Sequence, residues 1–179
     1  SGRGFYFHKK ETPNAVLENL VVRNGSVSGD FPEGSGGAVL IYDSSPTIKN
    51  CIFQNNTAAW GGAVEFNNSS SSLINCLISG NTSNAEDGGL GIFVIGASTV
   101  SITNCTIAGN TEGNSDMTRT VIGNERMNVS IVNSIIQRLN VLDSYPALVS
   151  VTYSCVDGGF SGTGNITWES GMTLFAASG

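Results

Sequence analysis

Five segments of the chain align on an asparagine without a gap: LENLVVRNGS (17–26), IKNCIFQNNT (48–57), LINCLISGNT (73–82), ITNCTIAGNT (102–111) and IVNSIIQRLN (131–140). The reference residues are Asn19, Asn50, Asn75, Asn104 and Asn133, so successive repeats are 31, 25, 29 and 29 residues long. Self-similarity at such a period constrains a fold more than any composition does. One repeat is one turn of a solenoid, and it buries its apolar face only by stacking on the next.

The columns of this alignment have physical meaning. Leu17, Ile48, Leu73, Ile102 and Ile131 stand two places before the asparagine. Leu20, Cys51, Cys76, Cys105 and Ser134 stand one place after it, and Val22, Phe53, Ile78, Ile107 and Ile136 three places after. Alternation with mixed polar neighbours is the period-2 pattern of strands, and it predicts that these three columns point inward. The phase breaks at the asparagine, which predicts a bend between two short strands. Asparagine tolerates the left-handed backbone region that a tight bend needs.

A further strand precedes each asparagine step. GGAVLIYD (36–43) and GGAVEFNN (61–68) both start 13 residues ahead of it, counted from Gly37 to Asn50 and from Gly62 to Asn75, and GGLGIFVI (88–95) is a looser copy. Val39, Ile41, Val64 and Phe66 share one parity and should face inward, so Glu65 should face out. GFYF (4–7) and RTVI (119–122) fit the same strand in the first and fifth coils, and VSVTYSCV (149–156) fits a sixth. The reading is all-β: a right-handed parallel β-helix of about six coils. It is expected as a single domain over 1–179, a segment of a longer protein. An antiparallel β-sandwich also uses short strands, but it gives no reason for the same Asn-Cys step to return.

The GGAV copies at 36–39 and 61–64, with Phe53 and Asn56 as an F-x-x-N, resemble the repeats of chlamydial polymorphic outer-membrane proteins. More broadly, SSPTIKNCIFQNNTAAWGGAV (44–64) and the ending YSCVDGGFSGTGN (153–165) resemble bacterial parallel β-helix proteins of the pectin-lyase-like superfamily. The resemblance implies the fold and a secreted or cell-surface location. It leaves activity open, because that superfamily holds lyases, hydrolases and adhesins.

Charge narrows the partners. Eight Lys and Arg against 14 Asp and Glu give a net charge of −6, which argues against nucleic acid as a partner. No apolar run approaches the length that spans a membrane. No signal-peptide pattern stands at the start, and the chain opens on Ser1 rather than Met, which suits a processed piece. Open solenoid ends expose strand edges and core, so capping or self-association through them is expected.

Candidate chemistry is sparse. Cys51, Cys76 and Cys105 follow one another by whole coils, unlike the clustered spacing of metal sites. With Leu20 and Ser134 in their column, they read as a ladder of core-filling thiols. Asn24, Asn55 and Asn165 sit in N-x-S/T triplets, but asparagines stacked in turns explain them better than glycosylation does. His8, the one histidine, has no assignable partners for a catalytic triad. A glycosidase needs two convergent carboxyl groups, and none is evident along the outward column Glu18, Lys49, Ile74, Thr103 and Val132.

The segments joining the asparagine strands to the next Gly-Gly strand do vary: SVSGDFPEGS (26–35), TAAW (57–60), TSNAED (82–87) and TEGNSDM (111–117). They carry Asp30, Glu33, Glu86, Asp87, Glu112 and Asp116, with Trp60 on the shortest. Acidic walls around an aromatic floor suit a glycan or a Ca²⁺ ion, although no cofactor is required. The leading expectation is therefore a non-catalytic surface segment that contacts glycans or another cell-surface ligand through these loops. A polysaccharide lyase or glycosidase, and a structural spacer, are the alternatives.

Overall fold

The computed structural model describes residues 2–85, 88–113, 121–123, 126–137, 139, 148–157 and 159–168. Every strand pair among them is parallel and in register, one coil on the next. Four stacks result. The Gly-Gly sheet runs Phe5–Phe7, Val39–Tyr42, Val64–Asn67, Ile92–Ile95 and Val121–Gly123. The sheet before the asparagine runs Val16–Glu18, Thr47–Lys49, Ser72–Ile74, Thr99–Thr103, Asn128–Val132 and Leu148–Thr152. The sheet after it runs Val21–Arg23, Ile52–Gln54, Leu77–Ser79, Thr106–Ala108, Ile135–Ile136, Cys155–Asp157 and Ile166–Trp168.

A fourth, narrow sheet of two-residue strands, Thr57–Ala58, Thr82–Ser83 and Thr111–Glu112, continues the stack where the sequence reads as loop. The chain therefore forms a parallel β-solenoid. Among the described residues it closes about four full turns rather than six, and those from Leu148 onward add strands to two of the sheets. Among the described residues no helix is long and apolar enough to cross a membrane.

The core is formed by the inward residues of the Gly-Gly strands and of the strands flanking the asparagine, with Cys51, Cys76 and Cys105, whereas Leu20, expected in the same inward column as these cysteines, is 38% exposed. Ile48, Phe53, Val64, Phe66, Leu73, Ile78, Ile92, Ile102, Ile107 and Ile131 are fully buried and belong to one cluster. Phe5, Phe7 and Val22 of the first coil pack on that cluster but stay partly exposed.

Two kinds of bend close each coil. The reference asparagines Asn19, Asn50, Asn75, Asn104 and Asn133 have φ of 59°, 54°, 55°, 55° and 51°, the left-handed region. In the last coil Tyr153 holds that place at φ 50°. The bend after the next strand uses Asn24, Asn55, Gly80 and Gly109, all with positive φ. The residue that follows it is turned inside: Asn56, Asn81 and Asn110 are buried and hydrogen-bonded in a chain. Asn56 N and Nδ2 both donate to Asn81 Oδ1 at 2.9 Å, and Asn81 N and Nδ2 donate to Asn110 Oδ1 at 3.0 and 2.9 Å. Asn81 Nδ2 also donates to Phe53 O at 3.0 Å. In the first coil this place is Gly25, whose N donates to Asn56 Oδ1 at 2.9 Å.

The reference asparagines form a second, exposed ladder. Asn75 Nδ2 donates to Asn50 Oδ1 at 2.8 Å, and Asn133 Nδ2 to Asn104 Oδ1 at 2.7 Å. Asn24 and Asn55 are exposed in their bends, whereas Asn165 Nδ2 donates to Val151 O and Phe160 O at 2.9 and 3.1 Å.

The cysteine column does more than fill space. Cys51, Cys76 and Cys105 are buried free thiols. Each donates to the carbonyl two residues back, of Lys49, Ile74 and Thr103, at 3.2, 3.2 and 3.3 Å. Cys76 N in turn donates to Cys105 Sγ at 3.5 Å, and Cys105 N to Ser134 Oγ at 3.1 Å. Ser154 extends the column, receiving Ser134 N at 3.1 Å. From Cys105 through Ser134 to Ser154 each side chain both donates and accepts, a role that Cys and Ser can share. Cys155 lies one residue beyond the column, on the outward parity of Ile135 and Ile166.

Candidate functional site

The outward face of the Gly-Gly sheet departs from the pattern of a solvated surface. One outward column runs Tyr6, Leu40, Glu65 and Phe93. Leu40 is fully buried, Glu65 is 2% exposed and Phe93 is 7% exposed. An outward residue with no exposure requires a cover, and the ten-residue segment 26–35 supplies it. Its C-terminal end is fastened to the end of the second coil: Ala59 N and Trp60 N donate to Gly34 O at 2.8 and 3.2 Å, and Gly36 N donates to Trp60 O at 2.7 Å. The segment doubles back tightly at Gly34, where a Cβ would stand 2.0 Å from Gly29 O.

Arg3 fastens it from the first coil. Its Nε donates to Ser35 O at 2.8 Å and Gly36 O at 3.2 Å. Its Nη2 donates to Pro32 O and to Glu33 O. The guanidinium also lies 5.2 Å from the centroid of the Tyr6 ring. The segment carries Phe31 across the sheet to meet Tyr42 edge to face, ring centroids 5.3 Å apart.

Between this cover and the sheet lies a pocket of about 310 Å³, lined by Phe31, Ser35, Trp60, Glu65, Asn67, Phe93 and Ile95. That is at the small end of the range for small-molecule sites. Its polar groups are few. Glu65 Oε1 accepts from Asn67 Nδ2 at 3.4 Å. Glu65 Oε2 and Ser35 Oγ are buried without a hydrogen-bond partner of normal geometry, although the Ser35 hydroxyl faces the carboxyl. Burial pushes the Glu65 carboxyl up to about 7, against the weaker opposing effects of Ser35, Asn67 and the Arg3 guanidinium.

The residues singled out from sequence are distributed unevenly around this site. Trp60 lines the pocket. Asp30 and Glu33 lie on the covering segment with exposed side chains, outside the lining. Glu112 is not on a loop wall: it belongs to the strand Thr111–Glu112, in the column of buried Ala58 and Ser83. Glu86, Asp87 and Asp116 fall outside the described residues. Among the described residues no group of three or more His, Cys, Asp or Glu could hold a metal ion.

Sequence parity put Glu65 on the solvent side and passed over it. The available signal was its neighbours, since Tyr6, Leu40 and Phe93 make an outward column too apolar for open water.

No curated protein and no solved structure matches the chain. A model of the family described as the right handed beta helix region matches residues 1–171, and the chain belongs to that family.

Proposed function

We propose that this chain is a segment of a secreted or cell-surface β-helix protein that holds a carbohydrate in the pocket over Glu65. The observation that carries the reading is the pocket itself: Phe31, Trp60 and Phe93 beside a buried carboxyl with an unused oxygen. Aromatic side chains offer large apolar faces at which the C–H face of a sugar packs, and a few placed polar groups fix its orientation. The likeness of the GGAV and F-x-x-N segments to chlamydial outer-membrane repeats and to pectin-lyase-like proteins supports a surface and carbohydrate setting. Ca²⁺ has no part in this proposal, because Asp30 and Glu33 stand outside the lining.

A second reading, hydrolysis, draws on one observation. A carboxyl held near pH 7 suits a general acid. A glycosidase would pair it with another carboxyl, and Glu65 is the one carboxylate among the lining residues. Binding without turnover is therefore the better supported function.

A glycan array with the wild type, Trp60→Ala and Glu65→Gln tests the proposal, followed by product analysis of every glycan bound. Binding lost in both variants with no product formed is the expected result. Cleavage of a bound glycan, or equal binding by all three proteins, overturns it.

A further inference from the structure

Glu65 is more specific than a generic sugar contact requires. Its side chain is 2% exposed, and its Oε2 and the Ser35 hydroxyl that faces the carboxyl are buried without a hydrogen-bond partner of normal geometry. With a neutral ligand burial favours the protonated form of that carboxyl, whereas a cation beside it favours the charged form. Among the described residues the cation that acts on it is Arg3, the weakest of the effects that oppose its burial. Its Nε and Nη2 are committed to the carbonyls of Pro32, Glu33, Ser35 and Gly36, and its charge lies over Tyr6. The surroundings favour a second cation. Three aromatic side chains share the pocket with the carboxyl, and ring faces attract ammonium groups. The covering segment carries exposed Asp30 and Glu33, on a chain of net charge −6. Such a field draws cations toward the opening.

We infer that the pocket is a cation site, which takes an ammonium group of its ligand above Glu65 and among Phe31, Trp60 and Phe93. The inference rests on the carbohydrate reading and narrows it to sugars that bear a free or methylated amino group. Glu65 acts as the counter-ion. Ser35 Oγ accepts from an N–H where the ammonium has one. Acetylation of the amine removes the charge and with it the preference.

The test uses the full chain with Trp168→Phe, so that Trp60 is the remaining tryptophan and its fluorescence reports the pocket. Two matched pairs are titrated: choline against its uncharged isostere 3,3-dimethylbutan-1-ol, and a chitosan hexamer against the fully acetylated chitin hexamer. The charged member of each pair should bind at least about tenfold tighter, a difference of about 1.4 kcal/mol. Glu65→Gln should reduce the preference below twofold, and Glu65→Asp should retain part of it. The comparison within each pair needs no variant, so a misfolded Glu65→Gln leaves the test intact. Equal binding of the isosteres, or a preference that survives Glu65→Gln, overturns the inference. If the chitin hexamer binds through Trp60 while choline is inert, the cation site is refuted and the carbohydrate reading stands. If choline binds with the expected preference but neither hexamer nor any arrayed glycan does, the cation site stands and the carbohydrate reading falls.

Discussion

Replacing Asn81 by leucine separates the two asparagine ladders energetically. Leucine has nearly the same volume, so the change removes hydrogen bonds without opening a cavity. Asn81 Oδ1 receives Asn56 N and Asn56 Nδ2, both at 2.9 Å. Asn81 Nδ2 donates to Phe53 O, Ser79 O and Asn110 Oδ1 at 3.0, 3.1 and 2.9 Å. Not all of these losses weigh equally. Asn56 Nδ2 keeps Val22 O, and Asn110 Oδ1 keeps Asn81 N. Asn56 N, in a fully buried residue, loses its acceptor. An orphaned buried donor costs about 1–3 kcal/mol, and the remaining bonds add about 1 kcal/mol net. The expected loss is about 2–4 kcal/mol, a large part of the stability of an ordinary domain. Asn75→Gly is the control. It keeps the positive φ that the bend requires and gives up one exposed bond to Asn50, so it should cost under about 1 kcal/mol. Urea unfolding followed by circular dichroism, with the slopes compared, measures both. Equal losses in the two variants would refute the view that the inner ladder, rather than the bend, holds the coils together.

Four further outcomes follow from the same geometry. Glu65 is pushed up to about 7 from 4.5, so the folded state holds its proton between those values while the unfolded state does not; the stability from the neutral form is complete below pH 4.5 and is lost as pH rises to about 7, by about 3 kcal/mol. Glu65→Gln should flatten that part of the stability–pH curve, and an unchanged slope would show that the carboxyl is not buried in solution. Cys105→Ser should be tolerated within about 1 kcal/mol, whereas Cys105→Val strands Cys76 N and should cost about 1–3 kcal/mol in thermal or urea unfolding. Arg3→Ala should speed amide exchange across 27–35 by about tenfold while barely moving the global midpoint, because its bonds reach only the covering segment and its base. Gly62→Ala places a Cβ 2.2 Å from Leu90 O and 2.8 Å from Thr82 O, so coil spacing must yield; soluble expression should fall sharply, while Gly109→Asn, at φ 68° with open space, should express normally.

The repeat was legible because stacking converts one coil's solution into a column, and a column shows in sequence as recurrence. Leu17, Ile48, Leu73, Ile102 and Ile131 recur for that reason, and all are buried. Recurrence also has blind spots. Tyr153 occupies the asparagine bend of the last coil without being an asparagine, and Ser154 rather than Cys155 continues the thiol column. The inner ladder was visible as NNT, GNT and GNT at 55–57, 80–82 and 109–111, yet asparagine is a turn residue by habit. Only the bend geometry shows that the first residue of each triplet turns the chain and the second points inside.

The candidate site was half legible for a different reason. Periodicity assigns each residue a side of its own coil, and Glu65 is on the outward side. Whether outward means solvated depends on what folds over that face, which no period encodes. The length of 26–35 announces an insertion, but where it comes down is set by contacts between coils: Arg3 from before it, Gly34 against Trp60 after it, and Phe31 against Tyr42. One sequence clue does survive this reasoning. An outward column of a solenoid that reads Tyr6, Leu40 and Phe93 would be an exposed apolar strip if nothing covered it, which soluble chains avoid. The strip therefore marks where the insertion lands. A carboxyl placed within it, as Glu65 is, must be buried by the same cover. The acidic residues that look functional because they are exposed, Asp30 and Glu33, then bring charge to the opening, while the group that makes the pocket selective is the acid the pattern assigned to water.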